Sequence, residues 1–502
     1  MTTRTLDRKA LLTVLAICTM SLILRCIFLS KQSLWLDECV SWECSARGFW
    51  AALYCDINKP PLYYPLLHLW RAAFGSSEAA LRGLSIPPAV LSVALMYLLG
   101  ARLFSRPIGY LAAAYLAISS FQIYFAQEAR NYTWLVFFLL AAGLFLWNAL
   151  EAESRSRRWR YWLGYTTSIV LALYTHYFAA FFIAGHGLYV LIRRRKHVIA
   201  ATVTIGVGLA AIMPFVVIFL HSPVAAQEQS RRYPWLKLPQ AYFTFLFGES
   251  LIPQDDQAVR HIVQTLRANA WIAAVLAVSL PVLLILARAA WRRWREPMVY
   301  CTFHAFVPVV LALGVSLKKG FFDRRYMIPA SPWLYLLVSA AIWEVVLLRR
   351  SGKEPAWKTS VGMAAVAGLC VLVVVSLYQY YFTERFGKEQ WRDAVAYIEG
   401  ASSPDSKDLV VLDPDYLQLC YRYYEKRGLA FWAVLPEVEQ QAAISDAVLR
   451  ERMRGYHRVW LVYSHTDNET LLAALKRLYP QRAAREFPLA NRIEVYGFDV
   501  TD

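Results

Sequence analysis

Charge is scarce in these 502 residues: Asp, Glu, Lys and Arg make up 18%, against 58% hydrophobic side chains. A soluble chain of this length, with two to four domains to cover, needs more polar surface. The same numbers exclude intrinsic disorder, which requires low hydrophobicity. The eight cysteines contain no C-x-x-C pair, which argues against a zinc site. Internal repeats and low-complexity tracts are also missing. No small-x-small cleavage site follows the first apolar run, so that run reads as a retained span rather than a signal peptide.

Long apolar runs are what the chain does have. The first is Ala10–Leu29, whose twenty residues would reach about 30 Å as a helix. Others follow at about Ala79–Ala101, Ile108–Ser120, Tyr132–Leu150, Trp162–Tyr174, Phe178–Ile192, Val198–Leu220, Trp271–Ala287, Val299–Leu317, Met327–Leu348 and Ser360–Tyr380. That pattern predicts an α-helical polytopic membrane protein with about eleven spans.

Lys and Arg number 53 against 36 Asp and Glu, a net charge of +17. In a soluble protein that excess would point to nucleic acid. Here it sits in alternate gaps between runs: Arg102 and Arg106; Arg155, Arg157, Arg158 and Arg160; Arg193 to Lys196; Arg288 to Arg295; Arg349 to Lys358. The positive-inside rule makes that side cytoplasmic, together with the N-terminus, and removes the need for a nucleic-acid partner.

The opposite loops, 30–74, 121–131, 221–270 and 318–326, mix acids, bases and aromatics. An odd span count places residues 382–502 on that face, after a membrane domain of residues 1–381. In the tail, Asp408–Asp413 and Arg458–Ser464 read as buried strands and Ile493–Phe498 as a closing strand. With helical stretches near Lys388–Glu399, Asp415–Lys426 and Asn468–Leu478, they predict a small extracytoplasmic α/β domain. Cys39, Cys44 and Cys55 share the first outer loop, where any two could pair if the compartment is oxidising.

Chemistry is expected where charge is costly. Asp37 and Glu38 follow the first run among Trp35, Leu36, Val40 and Trp42. Such a pair forms either an amphipathic interfacial helix with its acids in water or a desolvated carboxylate fit for general-base work. Further along the same loop, Asp56-Ile57-Asn58-Lys59-Pro60-Pro61-Leu62-Tyr63-Tyr64 fixes a turn that holds one ammonium. That ammonium is either a solvated helix-start Lys or a partner for an anion at the bilayer surface.

The order of these strings resembles the polyprenyl-phosphate-sugar-dependent glycosyltransferases of the GT-C class. Within that class the chain looks most like the bacterial dolichyl-phosphate-mannose-protein mannosyltransferase-like family, related to the lipid A aminoarabinose transferase. Five later strings strengthen the resemblance: Gly75–Arg82, Tyr124–Tyr132 (YFAQEARNY), Tyr174–Phe178, Arg325–Pro329 and Lys388–Arg392. Many bacterial members have His where Lys59 stands; the Lys form looks more like the aminoarabinose transferase.

The resemblance implies an inverting transfer of mannose or a similar sugar from a polyprenyl-phosphate donor to an acceptor hydroxyl on the outer membrane face. The acceptor class is a glycan, lipid or protein, and the implied location a bacterial inner membrane. Asp37 is then the general base, Glu38 its neighbour and Glu128 an acid that binds the acceptor. Lys59, Arg130, Arg324 and Arg325, all in outer loops, are candidates for the donor phosphate, which leaves already charged and needs cations more than a proton. Tyr63, Tyr64, His176, Tyr177 and Tyr326 are candidate lining residues; His176 and His68 also read as structural histidines. The outer loops hold no compact Asp-x-Asp, so metal-independent chemistry without a cofactor is expected, with a divalent cation at Asp37 and Glu128 as the alternative. The rival classes are a polyprenyl-linked glycolipid transporter or flippase and an envelope scaffold protein. A carrier should show two matching halves with interrupted helices, and the sequence shows none.

Overall fold

The computed structural model describes residues 8–57, 59–221, 234–252, 262–319, 322–352, 355–403, 406–435, 445–466 and 468–500. The chain forms two compact units. A helical unit comprises Met1–Ile27, Arg47–Gly75 and Ala80–Tyr381, and an α/β unit comprises Phe28–Ala46, Ser76–Ala79 and Phe382–Asp502. The second unit thus takes in two segments that a sequence boundary after residue 381 leaves in the first, and one of them carries Asp37 and Glu38.

A helix occupies each of the eleven apolar runs. Eight are long and apolar enough to cross a membrane: Arg8–Cys26, Glu78–Leu103, Tyr132–Glu151, Arg195–Leu220, Ala270–Arg293, Arg295–Leu317, Arg324–Ser351 and Ala356–Phe382. A ninth candidate is bent, Arg106–Ile118 continuing into Ser120–Ala126 at 57°. The remaining two differ for local reasons. Arg155–Thr175 has 21 residues but opens with Arg155, Arg157, Arg158 and Arg160, and Ala179–Arg193 has only 15.

The bend explains several buried polar groups. A broken helix at membrane depth must satisfy its freed backbone groups internally. Arg25, 1% exposed, donates to the carbonyls of Leu116 (3.2 Å) and Ala117 (2.9 Å), the last turn of the helix before the break. Ser119 is extended and accepts the Gln122 amide, which starts the next helix in the manner of an N-cap. Its hydroxyl lies 2.8 Å from that of Tyr335, which donates to Phe245 O at 2.7 Å.

Phe245 belongs to a helix, Pro234–Phe247, inside the segment read as outer loop 221–270. Its Ala241 and Phe245 are fully buried in the main core, and its final carbonyls accept the hydroxyls of Tyr115, Ser120 and Tyr335. This part of the loop is therefore packed structure. Elsewhere in the unit, helices Ile86–Leu103 and Arg106–Ile118 meet at Gly100 and Gly109, where a Cβ on Gly100 would lie 2.7 Å from the Gly109 Cα. Small residues allow such backbone contact between apolar helices.

The α/β unit contains a five-stranded sheet of order β2-β1-β3-β5-β4. The strands are β1 (Asp408–Asp413), β2 (Ala430–Ala433), β3 (Arg458–Tyr463), β4 (Gln481–Phe487) and β5 (Ile493–Asp499). β1 lies parallel to β2 and β3, whereas β5 runs antiparallel to β3 and β4. β1 is buried along its whole length, as a central parallel strand should be. Leu471, Leu472 and Leu475 of helix Thr470–Leu478 pack onto Leu409, Val411, Val459 and Leu461.

Candidate active site

The Lys59 turn is fixed from both sides. Lys59 N donates to Asp56 O at 3.0 Å, and Leu62 N, beyond the two prolines, donates to Tyr174 O at 3.0 Å. Helix Tyr63–Phe74 then begins, burying Tyr63 and Tyr64, and the Tyr64 hydroxyl donates to Asp56 Oδ2 at 2.7 Å. Arg130 Nη1 reaches the same hydroxyl at 3.4 Å.

Arg130 is held by the loop that precedes helix Tyr132–Glu151. Gln127 Nε2 donates to the carbonyls of Arg25 (3.0 Å) and Ile27 (2.7 Å), and Ser85 Oγ donates to those of Glu128 (2.6 Å) and Arg130 (3.1 Å). The Asn131 amide donates to Thr175 O. So tied, the loop buries Glu128 completely and leaves Arg130 3% exposed.

The end of helix Arg155–Thr175 brings in His176, 3% exposed. Its Nδ1 accepts the Phe178 amide at 3.1 Å, so the neutral ring carries its proton on Nε2. Among the described residues that buried Nε2 has no hydrogen-bond partner. Burial, and then the charges of Lys59, Arg130 and Arg325, hold the His176 pKa well below the usual histidine range. Three cations from three separate loops therefore converge on one neutral, buried imidazole. Tyr326 packs beside it at 4.9 Å between ring centroids, with the Lys59 ammonium 4.8 Å and the Arg325 guanidinium 5.2 Å from its own ring. Phe178 and Tyr132 complete the aromatic surround. Tyr177 lies nearby; burial and the Asp56 carboxylate push its phenol up to about 12, while its hydroxyl donates to Phe215 O.

Two of the four candidate phosphate cations carry acidic partners: Arg324 Nε donates to Glu249 Oε1 at 2.7 Å, and Arg325 Nε pairs with Asp323 Oδ2 at 3.0 Å.

In the α/β unit, Asp37 and Glu38 open helix Leu36–Ala46. Asp37 is half-buried and Glu38 fully buried. Glu38 is ion-paired with Lys388: Nζ to Oε2 is 3.2 Å, with the two side chains 3% and 0% exposed. Asp37 acts on the Cys420 thiol, whose pKa is pushed well above the ordinary range by burial first, then by Cys39, Glu389 and Asp37. Of the three loop cysteines, Cys44 and Cys55 are disulfide-bonded, whereas Cys39 is buried and outside any disulfide. No group of three or more His, Cys, Asp or Glu side chains among the described residues is arranged to hold a metal ion.

Residues 58–220 match the family model described as dolichyl-phosphate-mannose-protein mannosyltransferase. No curated protein matches the chain in sequence. In fold, the chain is similar to ArnT from Cupriavidus metallidurans in the apo state, at 13% identity and a TM-score of 0.59, covering 97% of this chain and 98% of that one. ArnT bound to undecaprenyl phosphate gives 12% identity and a TM-score of 0.56, covering 96% and 97%. This is a GT-C fold. The archaeal oligosaccharyltransferase AglB from Archaeoglobus fulgidus, in complex with an inhibitory peptide and a dolichol-phosphate, is also similar: 14% identity, a TM-score of 0.55, and coverage of 91% of this chain and 69% of that one.

Lys388 and Glu389 are not among the site candidates the sequence offers, although the string Lys388–Arg392 is one of those that carry the resemblance. Position 38 pairs with position 388, and no local periodicity reports a contact of that separation. A lysine beside an acid at the start of the C-terminal tail was the available signal. Ser85, which fixes the backbone at both Glu128 and Arg130, carried none.

Proposed function

We propose that the protein is a membrane glycosyltransferase that moves a sugar, mannose or a similar hexose or pentose, from a polyprenyl-phosphate donor to an acceptor hydroxyl. The observation that supports this most is the convergence of Lys59, Arg130 and Arg325 on His176. Like charges gathered at a buried position repel, and an anion such as a phosphate relieves that repulsion. The His176 Nε2–H, neutral beside three cations, is a further donor for a phosphate oxygen. ArnT and AglB, similar in fold, have structures with undecaprenyl phosphate and a dolichol-phosphate respectively.

In the proposed reaction Asp37 takes the proton of the acceptor hydroxyl as its oxygen bonds to the anomeric carbon. The bond from that carbon to the phosphate oxygen breaks, the configuration inverts, and polyprenyl phosphate leaves with the electron pair. Lys59, Arg130 and Arg325 stabilise the charge that develops on the leaving phosphate. Glu38 flanks the base and Glu128 serves the acceptor side. Arg324, which is not among the charges acting on His176, is left out of the phosphate set. Tyr63, Tyr64, Tyr177 and Tyr326 belong to the walls. The step is written without a cofactor, with a divalent cation as the alternative. Basic loops in alternate gaps support a cytoplasmic N-terminus and a C-terminal unit outside, and the family resemblance supports a bacterial inner membrane.

The test is turnover by the full chain, purified in detergent, with a panel of polyprenyl-phosphate sugars and an envelope extract as acceptor. One donor should lose its sugar to the acceptor, and Asp37→Asn should lower kcat by about a hundredfold or more. Tight donor binding without sugar release from any panel member would favour the carrier reading.

A further inference from the structure

We propose that Lys388 and Glu389 are positioning residues for Asp37. The proposal rests on the reading above, in which Asp37 takes the acceptor proton.

Helix Leu36–Ala46 starts with two adjacent carboxylates and, like every helix, with first-turn backbone amides whose acceptors must come from outside its own i→i−4 ladder. The tail stretch before helix Trp391–Ala401 answers both needs. Glu389 Oε2 accepts the Leu36 amide at 3.3 Å, so the cap on the Asp37 helix is a side chain 353 positions away. Lys388 neutralises Glu38 at 3.2 Å, and Glu38 Oε2 also accepts the Trp35 amide at 3.5 Å. Asp37 lies between these two attachment points.

Glu389 is itself immobilised. Its Oε2 also accepts Trp391 Nε1 at 2.8 Å; its Oε1 accepts Asn491 Nδ2 at 2.9 Å and faces His465 Nε2 at 2.9 Å. The chain leading into the helix is held by the same region: Leu34 N donates to the Tyr424 hydroxyl at 2.6 Å, and Arg392 N to Ser33 Oγ at 3.2 Å. The segment bearing Asp37 is thus held by the 388–392 stretch and, through Tyr424, by helix Gln418–Tyr424.

Stability alone is a poor reason for this arrangement. A buried ion pair loses to desolvation much of what it gains by attraction, and an apolar pair of similar volume serves a core as well or better. What the ion pair supplies is geometry and charge. It fixes the helix register at residue 38, and it leaves Asp37 beside a neutralised neighbour instead of a second bare anion. General-base catalysis is sensitive to both, because a misplacement of about 1 Å can cut the rate about a hundredfold.

The experiment compares wild type with Asp37→Asn, Lys388→Met, Lys388→Arg and Glu389→Gln as full chains in detergent. Each variant's kcat, donor KM and thermal midpoint are measured with the polyprenyl-phosphate sugar of the panel that the wild type turns over fastest. The proposal expects Lys388→Met and Glu389→Gln to lower kcat by about tenfold or more with donor KM within about twofold. Lys388→Arg, which keeps the charge, should recover kcat to within about threefold of wild type. Equal kcat in wild type and in a folded Lys388→Met or Glu389→Gln, with Asp37→Asn inactive, overturns the positioning role and leaves the base assignment intact. An active Asp37→Asn overturns the base assignment and this proposal with it. If Lys388→Met does not fold, Glu389→Gln decides by the same criteria.

Discussion

The Lys59 ammonium lies 4.8 Å from the centroid of the Tyr326 ring. The same ring carries the Arg325 guanidinium at 5.2 Å, so two candidate phosphate cations share one aromatic support. Cation–π contacts contribute about 0.5–2 kcal/mol each, and their geometry fixes where the charge points. Tyr326→Leu is therefore expected to raise donor KM about fivefold or more with a smaller change in kcat. Tyr326→Phe keeps the ring face and should resemble wild type. Steady-state kinetics with varied donor checks both.

Arg25 acts through the break in a helix. It donates to Leu116 O and Ala117 O and to Ser21 Oγ, the last at 2.7 Å. Arg25→Met strands two carbonyls at membrane depth, each costing about 1–3 kcal/mol, while it relieves the burial of a charge. The net expectation is a loss of about 2 kcal/mol. The thermal midpoint in detergent should fall by about 2–4 °C. An unchanged midpoint would remove Arg25 from the support of the bend.

His176 makes stability depend on pH in a defined sense. Its pKa is depressed in the folded state, by burial first and then by Lys59, Arg130 and Arg325. The unfolded chain therefore binds the proton that the folded chain refuses, and stability falls as pH drops through the unfolded value near ~6.5. Acidification from pH 8 to pH 5.5 therefore lowers stability through this one group. Thermal midpoints measured across that range should fall on acidification, and by less in His176→Gln. Equal slopes in the two proteins would contradict the assignment.

Much of this architecture is legible in the sequence, because apolar runs and arginine-rich gaps follow directly from a bilayer and its charge asymmetry. All eleven runs are helices, and three of the five strands are visible as buried apolar segments. Two strands escape. β2 has four residues, and β4 (QRAAREF) is largely exposed, so neither presents a hydrophobic period. The helix Pro234–Phe247 escapes for another reason: its burial depends on partners at Tyr115, Ser120 and Tyr335, far away in sequence. The candidate cations are legible as charges on the wrong side of a basic-inside pattern. Which of them converge is not, since adjacent Arg324 and Arg325 differ only in what surrounds them.

That difference sets the most direct test of the central claim, that the cluster around His176 receives a lipid phosphate. The measurement is the affinity of the full chain in detergent for polyprenyl phosphate, in wild type, Lys59→Ala, Arg325→Gln and Arg324→Gln. Lys59→Ala and Arg325→Gln should each bind about tenfold or more weakly, and Arg324→Gln should stay within about threefold of wild type. Equal affinity in all four, or a loss confined to Arg324→Gln, would contradict the account.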